Sequence, residues 1–382
     1  MWECGYAYIS VISKTGATTL STSTRILFLA RRYPPCIGGI QPHCFQLYTR
    51  LATRTSTTIL ALGRQSLLHL AWFLPYTWLR CFWSLLWRRV DVIYFGDGVS
   101  CSVAPFLLAL KGQARFVTTV FGAEMTFGST IAQNLMKRGA RCCDRIIVIS
   151  ENSRRLAVEW GLPSERIEII YVGVEPQLLE PARDDELRVE FENRHELSFE
   201  RSDVVLSLGR QIPRKGVAAF LEHGFAHLRD DITLIIVGDG PELPRLRELE
   251  AKLATKRIIL LGAVDDETAA MLRSNAGLFI MPNVPMADDV EGYGIAPLES
   301  MFVGTPVVAF AVDALVEAIR EGGYLVESGD YTAFADRINE FFVLVDQDRR
   351  QMEETAREYV TREYGWDLMA NQYEKVFREN GT

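Results

Sequence analysis

Residues 203–216 read DVVLSLGRQIPRKG, an apolar, β-branched run that ends at a glycine and continues into basic residues. The run shows almost no alternation of apolar and polar residues, so it does not fit a strand with one face in water. Strands of a parallel sheet, which helices cover on both faces, have this pattern. We therefore predict a buried strand that starts at Asp203 and belongs to an α/β sheet, with the basic residues on the loop that follows it.

Similar runs recur on both sides of this stretch and alternate with longer helical patterns. Before it they are RILFLA (25–30), TTILALG (57–63), DVIYFG (91–96), ARFVTTVFG (114–122), RIIVIS (145–150) and IEIIYVGV (167–174). After it they are ITLIIVGDG (232–240), RIILLGAV (257–264), GLFIMPNV (277–284) and TPVVAF (305–310). Strands that alternate with helices in this way predict two doubly wound halves with parallel sheets.

The two halves are separated by a charged, proline-containing segment that has no strand pattern, residues 175–203. Such a segment is the best candidate for a domain boundary. The first 23 residues have no basic start and no apolar run long enough for a signal peptide, so we interpret them as a disordered extension, with a start codon assigned too early as the alternative. The predicted division is an extension (1–23), a first domain (24–178), a linker (179–202), a second domain (203–358) and a C-terminal helix that packs back on the first domain (359–382).

The composition agrees with a folded two-domain protein of a reducing compartment. The 382 residues are 48% hydrophobic and 24% charged, which excludes a disordered chain. The seven cysteines include no C-x-x-C pair, so the sequence predicts neither a disulfide framework nor a zinc site. We expect the protein to be cytoplasmic.

The net charge of −8 is distributed unevenly along the chain. Residues 1–176 carry 19 Lys and Arg against 10 Asp and Glu, whereas the remainder carries 22 against 39. A basic first domain suits an anionic partner, although a difference of this size also arises by drift.

An aromatic segment from Ser66 to Arg89, SLLHLAWFLPYTWLRCFWSLLWRR, contains four of the seven tryptophans. Pro75 and Arg80 interrupt it, which argues against a membrane-spanning helix. Tryptophan beside arginine suits a helix in the headgroup region, as a peripheral contact with the cytoplasmic face of an anionic membrane. Packing against the first sheet is the alternative, and the sequence does not decide between the two.

Glycine-containing loops follow several predicted strands, at the edge where open α/β sheets bind ligands. Arg210 and Lys215 flank a turn after Gly209, and two cations there suit a diphosphate, although a solvated basic turn is equally common. A second junction of strand and turn is VGDGPE, which contains Gly238 and Asp239. It does not match G-x-G-x-x-G, and the chain contains no G-x-x-x-x-G-K-[ST], so dinucleotide-binding and P-loop interpretations are excluded.

In the first half, Gly38 and Gly39 follow the first strand in RRYPPCIGGIQPH (31–43). A glycine pair lets the backbone approach a ligand closely, and a helix that starts after it favours a phosphate. An ordinary glycine turn explains the pair equally well.

The stretch DVEGYGIAPLES (289–300) sets two carboxylates eight residues apart, Glu291 and Glu299. Between them, Gly292-Tyr293-Gly294 would turn backbone amides towards a bound group. A helix is predicted to begin near Ile295, with a proline in its first turn, so the second carboxylate lies about one turn inside it. Carboxylates that flank free amides suit a ligand with hydroxyls on both sides of a phosphate, which is the shape of a nucleotide sugar.

The sequence EGYGIAPLE resembles the E-x7-E signature of the retaining family 4 glycosyltransferases, which have the GT-B fold. It occurs in order with PPCIGG, FGAEMTF, VISENSRRL, GRQIPRKG, VGDGPE, LLGAVDDE, MPNV and GTPVVA. The resemblance covers residues 24–378 and is closest to the phosphatidylinositol-mannosyltransferase-like members. It implies an α/β protein with two Rossmann-like doubly wound parallel-sheet domains that face a central cleft.

The resemblance further implies a Leloir enzyme that transfers a hexose from a GDP- or UDP-hexose to a lipid-linked or glycan acceptor, and the closer similarity suggests mannose. It implies no cofactor, no metal and no nucleic-acid partner. Transferred by position, Glu291 binds hydroxyls of the donor sugar and Glu299 binds those of the ribose. Arg210 and Lys215 hold the diphosphate and stabilise the leaving group, and Gly39 lets the first-domain loop approach the phosphates.

Three stretches depart from the family pattern. Phe121-Gly122-Ala123-Glu124 resembles the H-G-x-[DE] loop, but phenylalanine replaces the histidine that often approaches the donor sugar. AFAVDALVEAI lacks the usual glycine pair, and YVGV occurs where N-G-V is usual. Two alternatives therefore stay open, a nucleotide-sugar 2-epimerase of the same fold and a degenerate nucleotide-sugar-binding protein. An isomerised donor would identify the first, and donor binding without turnover would identify the second.

The predicted site falls into three groups. The catalytic candidates are Glu291, Arg210 and Lys215. The donor-binding candidates are Gly38, Gly39, Gly209, Gly238, Asp239, Gly292, Tyr293, Gly294, Ile295 and Glu299. The acceptor candidates are Phe121 and Glu124.

Overall fold

The computed structural model of the protein describes residues 9–13, 24–34, 40–63, 67–122, 125, 129–174, 185–200, 203–255, 257–286 and 294–379. Two compact units divide the chain. The first contains residues 1–173 and 366–382, and the second contains residues 174–365. The first domain was predicted to end at residue 178, whereas the second unit begins at 174. The C-terminal helix was predicted to start at 359, whereas the chain returns to the first unit at 366.

The first unit is built on a sheet in which seven described strands pair. They are β1 (Ile9–Ser13), β2 (Arg25–Ala30), β3 (Ser56–Leu62), β4 (Val92–Phe95), β5 (Arg115–Val120), β6 (Arg145–Val148) and β7 (Ile167–Ile169). Their order is β1-β3-β2-β4-β5-β6-β7. β1 is antiparallel to β3, and the pairs from β3 to β7 are parallel.

Helices flank this sheet. They are α1 (Ile40–Arg54), α2 (Leu67–Leu86), α3 (Gly98–Cys101), α4 (Thr130–Arg141) and α5 (Glu151–Glu159). Ala104–Leu110 and Ser164–Arg166 form short 3-10 helices. The side chains of β2, β4, β5 and β6 are almost all buried, as expected for strands that are covered on both faces.

The second unit contains a parallel sheet of six described strands. They are β8 (Asp203–Leu208), β9 (Ile232–Val237), β10 (Ile258–Gly262), β11 (Leu278–Met281), β12 (Val307–Phe310) and β13 (Gly323–Val326). Their order is β10-β9-β8-β11-β12-β13, and every pair is parallel. The prediction of two doubly wound α/β halves is therefore confirmed.

The second unit also contains eight described α-helices and three 3-10 turns. The helices are α6 (Asp185–His195), α7 (Val217–His223), α8 (Leu243–Leu253), α9 (Asp266–Asn275), α10 (Ile295–Phe302), α11 (Leu315–Ile319), α12 (Tyr331–Phe342) and α13 (Asp346–Glu363). The 3-10 turns are Pro213–Lys215, Phe225–His227 and Arg320–Gly322.

The last helix, α14 (Trp366–Arg378), belongs to the first unit. The hydroxyl oxygen of Tyr373 lies 2.9 Å from Oγ1 of Thr119 on β5 and 3.2 Å from Nε2 of His43 on α1. A Cβ atom on Gly173 would lie 2.5 Å from the Trp366 ring. Helix α14 thus completes the core of the first unit through a buried polar network.

Residues 1–23 were predicted to be a disordered extension, and this is wrong for Ile9–Ser13. These five residues form β1, in which Ile9 pairs with Leu62 and Ser13 pairs with Thr58. The sequence ISVIS is rich in β-branched residues, which favour a strand, and β1 lies at the edge of the sheet. The segment between the two halves also contains a helix, α6, although it lacks the apolar periodicity of a core helix.

Helix α2 has one buried face and one exposed face. Phe73 and Cys81 are fully buried in the first unit. Trp72, Trp83 and Trp87 are 43%, 48% and 63% exposed. The aromatic segment therefore packs against the first unit along one face and presents tryptophan to solvent along the other. None of the helices that the structure describes is both long enough and apolar enough to cross a bilayer.

Candidate active site

In the sheet of the second unit, the order in which the chain adds strands reverses between β8 and β11. From β8 the chain continues to β9 and β10 on one side, then returns so that β11 pairs with β8 on the other side. In open α/β sheets, ligands bind outside the carboxyl ends of the strands at such a switch point. The loop after β8 carries the two predicted diphosphate cations, and the chain after β11 leads to the predicted donor-sugar loop.

The loop after β8 is held firmly against the chain after β11. Gly216 has a φ of +66°, and a Cβ atom there would lie 1.9 Å from the carbonyl oxygen of Pro282. The backbone N–H of Val284 donates to the carbonyl of Arg214 at 2.9 Å. Arg210 is exposed, Lys215 is half-buried, and both line a small pocket at the ends of β8 and β11. The two cations thus extend from a backbone that neighbouring loops fix in place.

Gln211 joins the loops that follow β8 and β9. Its side-chain Nε2 donates to the carbonyls of Gly209 and Val237, both at 2.9 Å, and its backbone N–H donates to the carbonyl of Asp239 at 2.9 Å. Gly238 has a φ of +123°, and a Cβ atom there would lie 1.9 Å from the carbonyl oxygen of Gly209. These contacts make the two glycine loops one rigid edge, with the exposed Asp239 on its surface.

Helix α10 begins at Ile295, the predicted position, after Gly294 in the left-handed conformation. Glu299 lies on this helix and is 28% exposed, and its Oε2 forms an ion pair with Nη2 of Arg273 at 2.7 Å. Burial raises the pKa of Glu299, and the neighbouring Asp266 adds to the rise, whereas the Arg273 guanidinium opposes it. A half-buried carboxylate next to the switch point can accept hydrogen bonds from ligand hydroxyls.

Sequence reasoning missed Arg273 and Gln211. Arg273 belongs to α9, and no spacing in the sequence links it to Glu299. Gln211 lies between the two predicted cations, but a single glutamine in a turn carries no signal of its own. Six predicted site residues lie outside the described part of the chain: Gly38, Gly39, Glu124, Glu291, Gly292 and Tyr293.

In the first unit, the acceptor candidate Phe121 follows β5 and is only 7% exposed. Its ring packs against the His43 ring in a T-shaped arrangement, with ring centroids 5.2 Å apart. Burial lowers the pKa of His43 to about 3, so this imidazole is neutral at physiological pH. The phenyl ring thus packs inward, towards the polar network that joins α1 and α14.

We expect Phe121→His to lower the free energy of unfolding by about 1–2 kcal/mol, because the change buries a second polar ring beside a neutral imidazole. Thermal denaturation of the two proteins measures the effect. Phe106→His is the matched control, because Phe106 is 67% exposed. Unchanged stability together with faster turnover would instead show that position 121 faces the ligand, as the family pattern implies.

Among the residues that the structure describes, no group of three or more His, Cys, Asp and Glu side chains could hold a metal ion. The D-x-D sequence at 346–348 forms the first turn of α13. The charged groups described around the candidate site include Arg210, Lys215 and Asp239 near the switch point, and the Glu299–Arg273 pair with the neighbouring Asp266.

Two family models match the chain, one in each half. The model described as Glycosyltransferase Family 4 matches residues 37–178. The model described as Glycosyl transferases group 1 matches residues 189–359. The second match contains the whole described edge around β8, β9 and α10.

Two curated relatives match the chain, one over most of its length and the other over about half of it. The GDP-mannose-dependent alpha-(1-6)-phosphatidylinositol monomannoside mannosyltransferase of Mycobacterium tuberculosis is 27% identical, over 91% of this chain and 96% of its own length. The phosphatidyl-myo-inositol mannosyltransferase of Mycobacterium leprae is 36% identical, over 47% of each chain.

A solved structure shares the fold across the chain. Anabaena HepE, in complex with UDP, superposes with a TM-score of 0.72 and 18% identity, covering 92% of this chain and 99% of its own. At this identity the match supports the architecture alone. The shared architecture gives the fold as GT-B, and the two family models together with the relatives show that the chain is a glycosyltransferase of family 4, related to the phosphatidylinositol mannosyltransferases.

Proposed function

We propose that this glycosyltransferase transfers mannose from GDP-mannose to a lipid-linked acceptor of the phosphatidylinositol type, with retention of anomeric configuration and without a metal ion. The observation that carries the proposal is the pair of cations, Arg210 and Lys215, on the rigid loop at the switch point of the second sheet. A cationic pair on a fixed backbone suits the diphosphate of a nucleotide sugar.

In the proposed reaction, the bond between the anomeric carbon and the diphosphate oxygen breaks as the acceptor hydroxyl oxygen attacks from the same face. The hydroxyl proton passes to the leaving phosphate, so the reaction needs no nucleophile from the enzyme. Arg210 and Lys215 stabilise the negative charge that grows on the diphosphate. Glu291 holds hydroxyls of the transferred sugar, and Glu299 holds those of the ribose.

The relatives support mannose and a phosphatidylinositol acceptor, because the name of the Mycobacterium tuberculosis relative specifies GDP-mannose and a phosphatidylinositol monomannoside. The structure of HepE with UDP makes a UDP-hexose the rival donor. The acidic second unit would bind the donor, and the basic first unit would meet the anionic lipid.

A thermal-shift comparison of GDP-mannose with UDP-glucose identifies the donor, because a ligand that binds the folded state raises its stability. Transfer of labelled mannose to phosphatidylinositol and its monomannoside then tests the acceptor. NMR of the product reports the anomeric configuration, and unchanged turnover in a chelator supports metal independence. A stabilising UDP-hexose with no effect of GDP-mannose would overturn the proposed donor.

The proposal includes a peripheral contact between the exposed face of α2 and the cytoplasmic face of an anionic membrane. The exposed tryptophans Trp72, Trp83 and Trp87 are followed by Arg88 and Arg89, which are also exposed. Aromatic rings that enter the headgroup region, next to cations that attract anionic lipids, are typical of interfacial helices.

We expect the double change of Trp83 and Trp87 to Ser to weaken binding to phosphatidylinositol-containing vesicles about tenfold without loss of fold, because both rings are exposed. Vesicle co-sedimentation measures the binding. Trp78→Ser is the comparison variant, because Trp78 packs against the core of the first unit and should lower the melting temperature instead. Equal vesicle binding by the double variant and the parent protein would rule out this contact.

A further inference from the structure

Arg273 connects two helices beside the proposed donor site. Its Nη2 lies 2.7 Å from Oε2 of Glu299, and its side chain is only 12% exposed. Its backbone carbonyl accepts a hydrogen bond from Oγ1 of Thr305 at 2.6 Å, and the backbone N–H of Thr305 donates to the carbonyl of Ser300 in α10. The guanidinium of Arg273 is thus attached to α10, and its backbone carbonyl is attached to the turn that follows α10.

The groups around Glu299 shift the pKa of its carboxyl in opposite directions. Burial and Asp266 on α9 both raise the pKa of its carboxyl, and Arg273 on the same helix lowers it. Arg357 on α13 contacts the far end of α10, where its Nη2 donates to the carbonyl of Val303 at 2.8 Å. Arg273 is therefore the described cation that forms an ion pair with the Glu299 carboxylate.

A carboxylate offers about four acceptor positions on its two oxygens. An arginine that engages one oxygen restricts the rotation of the group and leaves acceptor positions for a ligand. A vicinal diol, such as the ribose of a nucleotide, requires a carboxylate in a defined orientation to accept from both hydroxyls.

We propose that Arg273 is a positioning residue that orients the Glu299 carboxylate and keeps it ready for the ribose of the donor nucleotide. The inference rests on the proposed function, in which Glu299 binds ribose. It adds a residue on α9 that acts through Glu299 and does not touch the nucleotide itself.

Arg273→Gln is expected to weaken binding of GDP about tenfold at neutral pH, the loss typical of one charge-assisted hydrogen bond. Without the guanidinium, the pKa of Glu299 in the folded protein rises further, so a larger fraction of the carboxyl is protonated as the pH falls. The loss should therefore grow below neutral pH and shrink as the pH is raised. Arg273→Lys keeps the charge and should keep the pH profile of the parent protein with a smaller loss.

A double-mutant cycle tests whether Arg273 acts through Glu299. Titration calorimetry with GDP on the parent protein, Arg273→Gln, Glu299→Gln and the double variant gives the coupling. If Arg273 acts through the carboxylate, the double variant should bind GDP as Glu299→Gln does, within about twofold. Arg257→Gln is the matched control, because Arg257 is similarly buried and pairs with Asp230 at 2.9 Å, at the start of β10 and away from the carboxyl edge.

Additive losses in the cycle would overturn the inference, because they would mean that Arg273 affects the nucleotide independently of Glu299. A loss that does not vary with pH would also overturn it, because a purely structural defect has no such dependence. If the parent protein itself fails to bind GDP or UDP, the proposed function fails. If the parent protein binds GDP and Arg273→Gln binds it equally well, only the inference about Arg273 is overturned.

Discussion

Lys215→Ala and Arg210→Ala are each expected to lower kcat by about 10²- to 10³-fold, the usual cost of removing a group that stabilises charge developing in a transition state. Both cations lie on the loop after β8, at the switch point of the second sheet. The charge on the diphosphate grows as its bond to the sugar breaks, so the loss should be greater in kcat than in donor affinity.

Initial rates at saturating donor, together with donor binding measured separately, check this expectation. Arg337→Ala is the control, because Arg337 is exposed on α12 and pairs with Glu340 on the same helix. Because Gln211 and Gly216 hold the loop backbone, neither alanine variant should change the melting temperature greatly. A loss confined to donor affinity, with kcat intact, would show that the cations bind the ground state alone.

Substitution of the two carboxylates of the E-x7-E stretch should affect different steps, nucleotide binding for one and turnover for the other. Glu299→Gln is expected to weaken binding of the nucleotide sugar and of the free nucleoside diphosphate alike, by about 10- to 100-fold. Both ligands contain ribose, and the lost hydrogen bond is to a charged acceptor. Glu291→Gln should leave binding of the nucleoside diphosphate nearly unchanged and lower turnover, because its proposed partner is the transferred sugar.

Calorimetry with GDP on the two variants separates the roles, and each variant serves as the control for the other. The ion pair between Glu299 and Arg273 makes this test informative, because glutamine keeps the shape of the side chain while removing its charge. Equal losses of GDP affinity in both variants would contradict the assignment of ribose to Glu299 and sugar to Glu291.

The sequence predicts the strands of both sheets well where helices cover both faces. β4 and β12 are continuous apolar runs, β8 is mostly apolar, and all three are buried along most of their length. β13 was missed because it is a short edge strand, GYLV, which is only partly buried. α6 was interpreted as linker because its composition is charged and its apolar residues do not form one stripe.

The candidate site is predictable where the chemistry is local in sequence. Arg210 and Lys215 lie within one loop, and Glu299 lies one turn into a helix with a recognisable start. The pairing of Arg273 with Glu299 depends on how α9 packs beside α10, which the spacing of residues does not encode. The inward packing of Phe121 onto His43 likewise depends on contacts between β5, α1 and α14.

The return of α14 to the first unit affects how the protein folds during synthesis. The buried hydroxyl of Tyr373, which contacts Thr119 and His43, leaves the ribosome only after the whole second unit, residues 174–365, has been translated. At about 5–20 residues per second, the nascent first unit waits roughly 10 to 40 s for its last helix. During that interval the surface that α14 later covers on α1 is exposed to chaperones and to other nascent chains, and the second unit is the first to become complete.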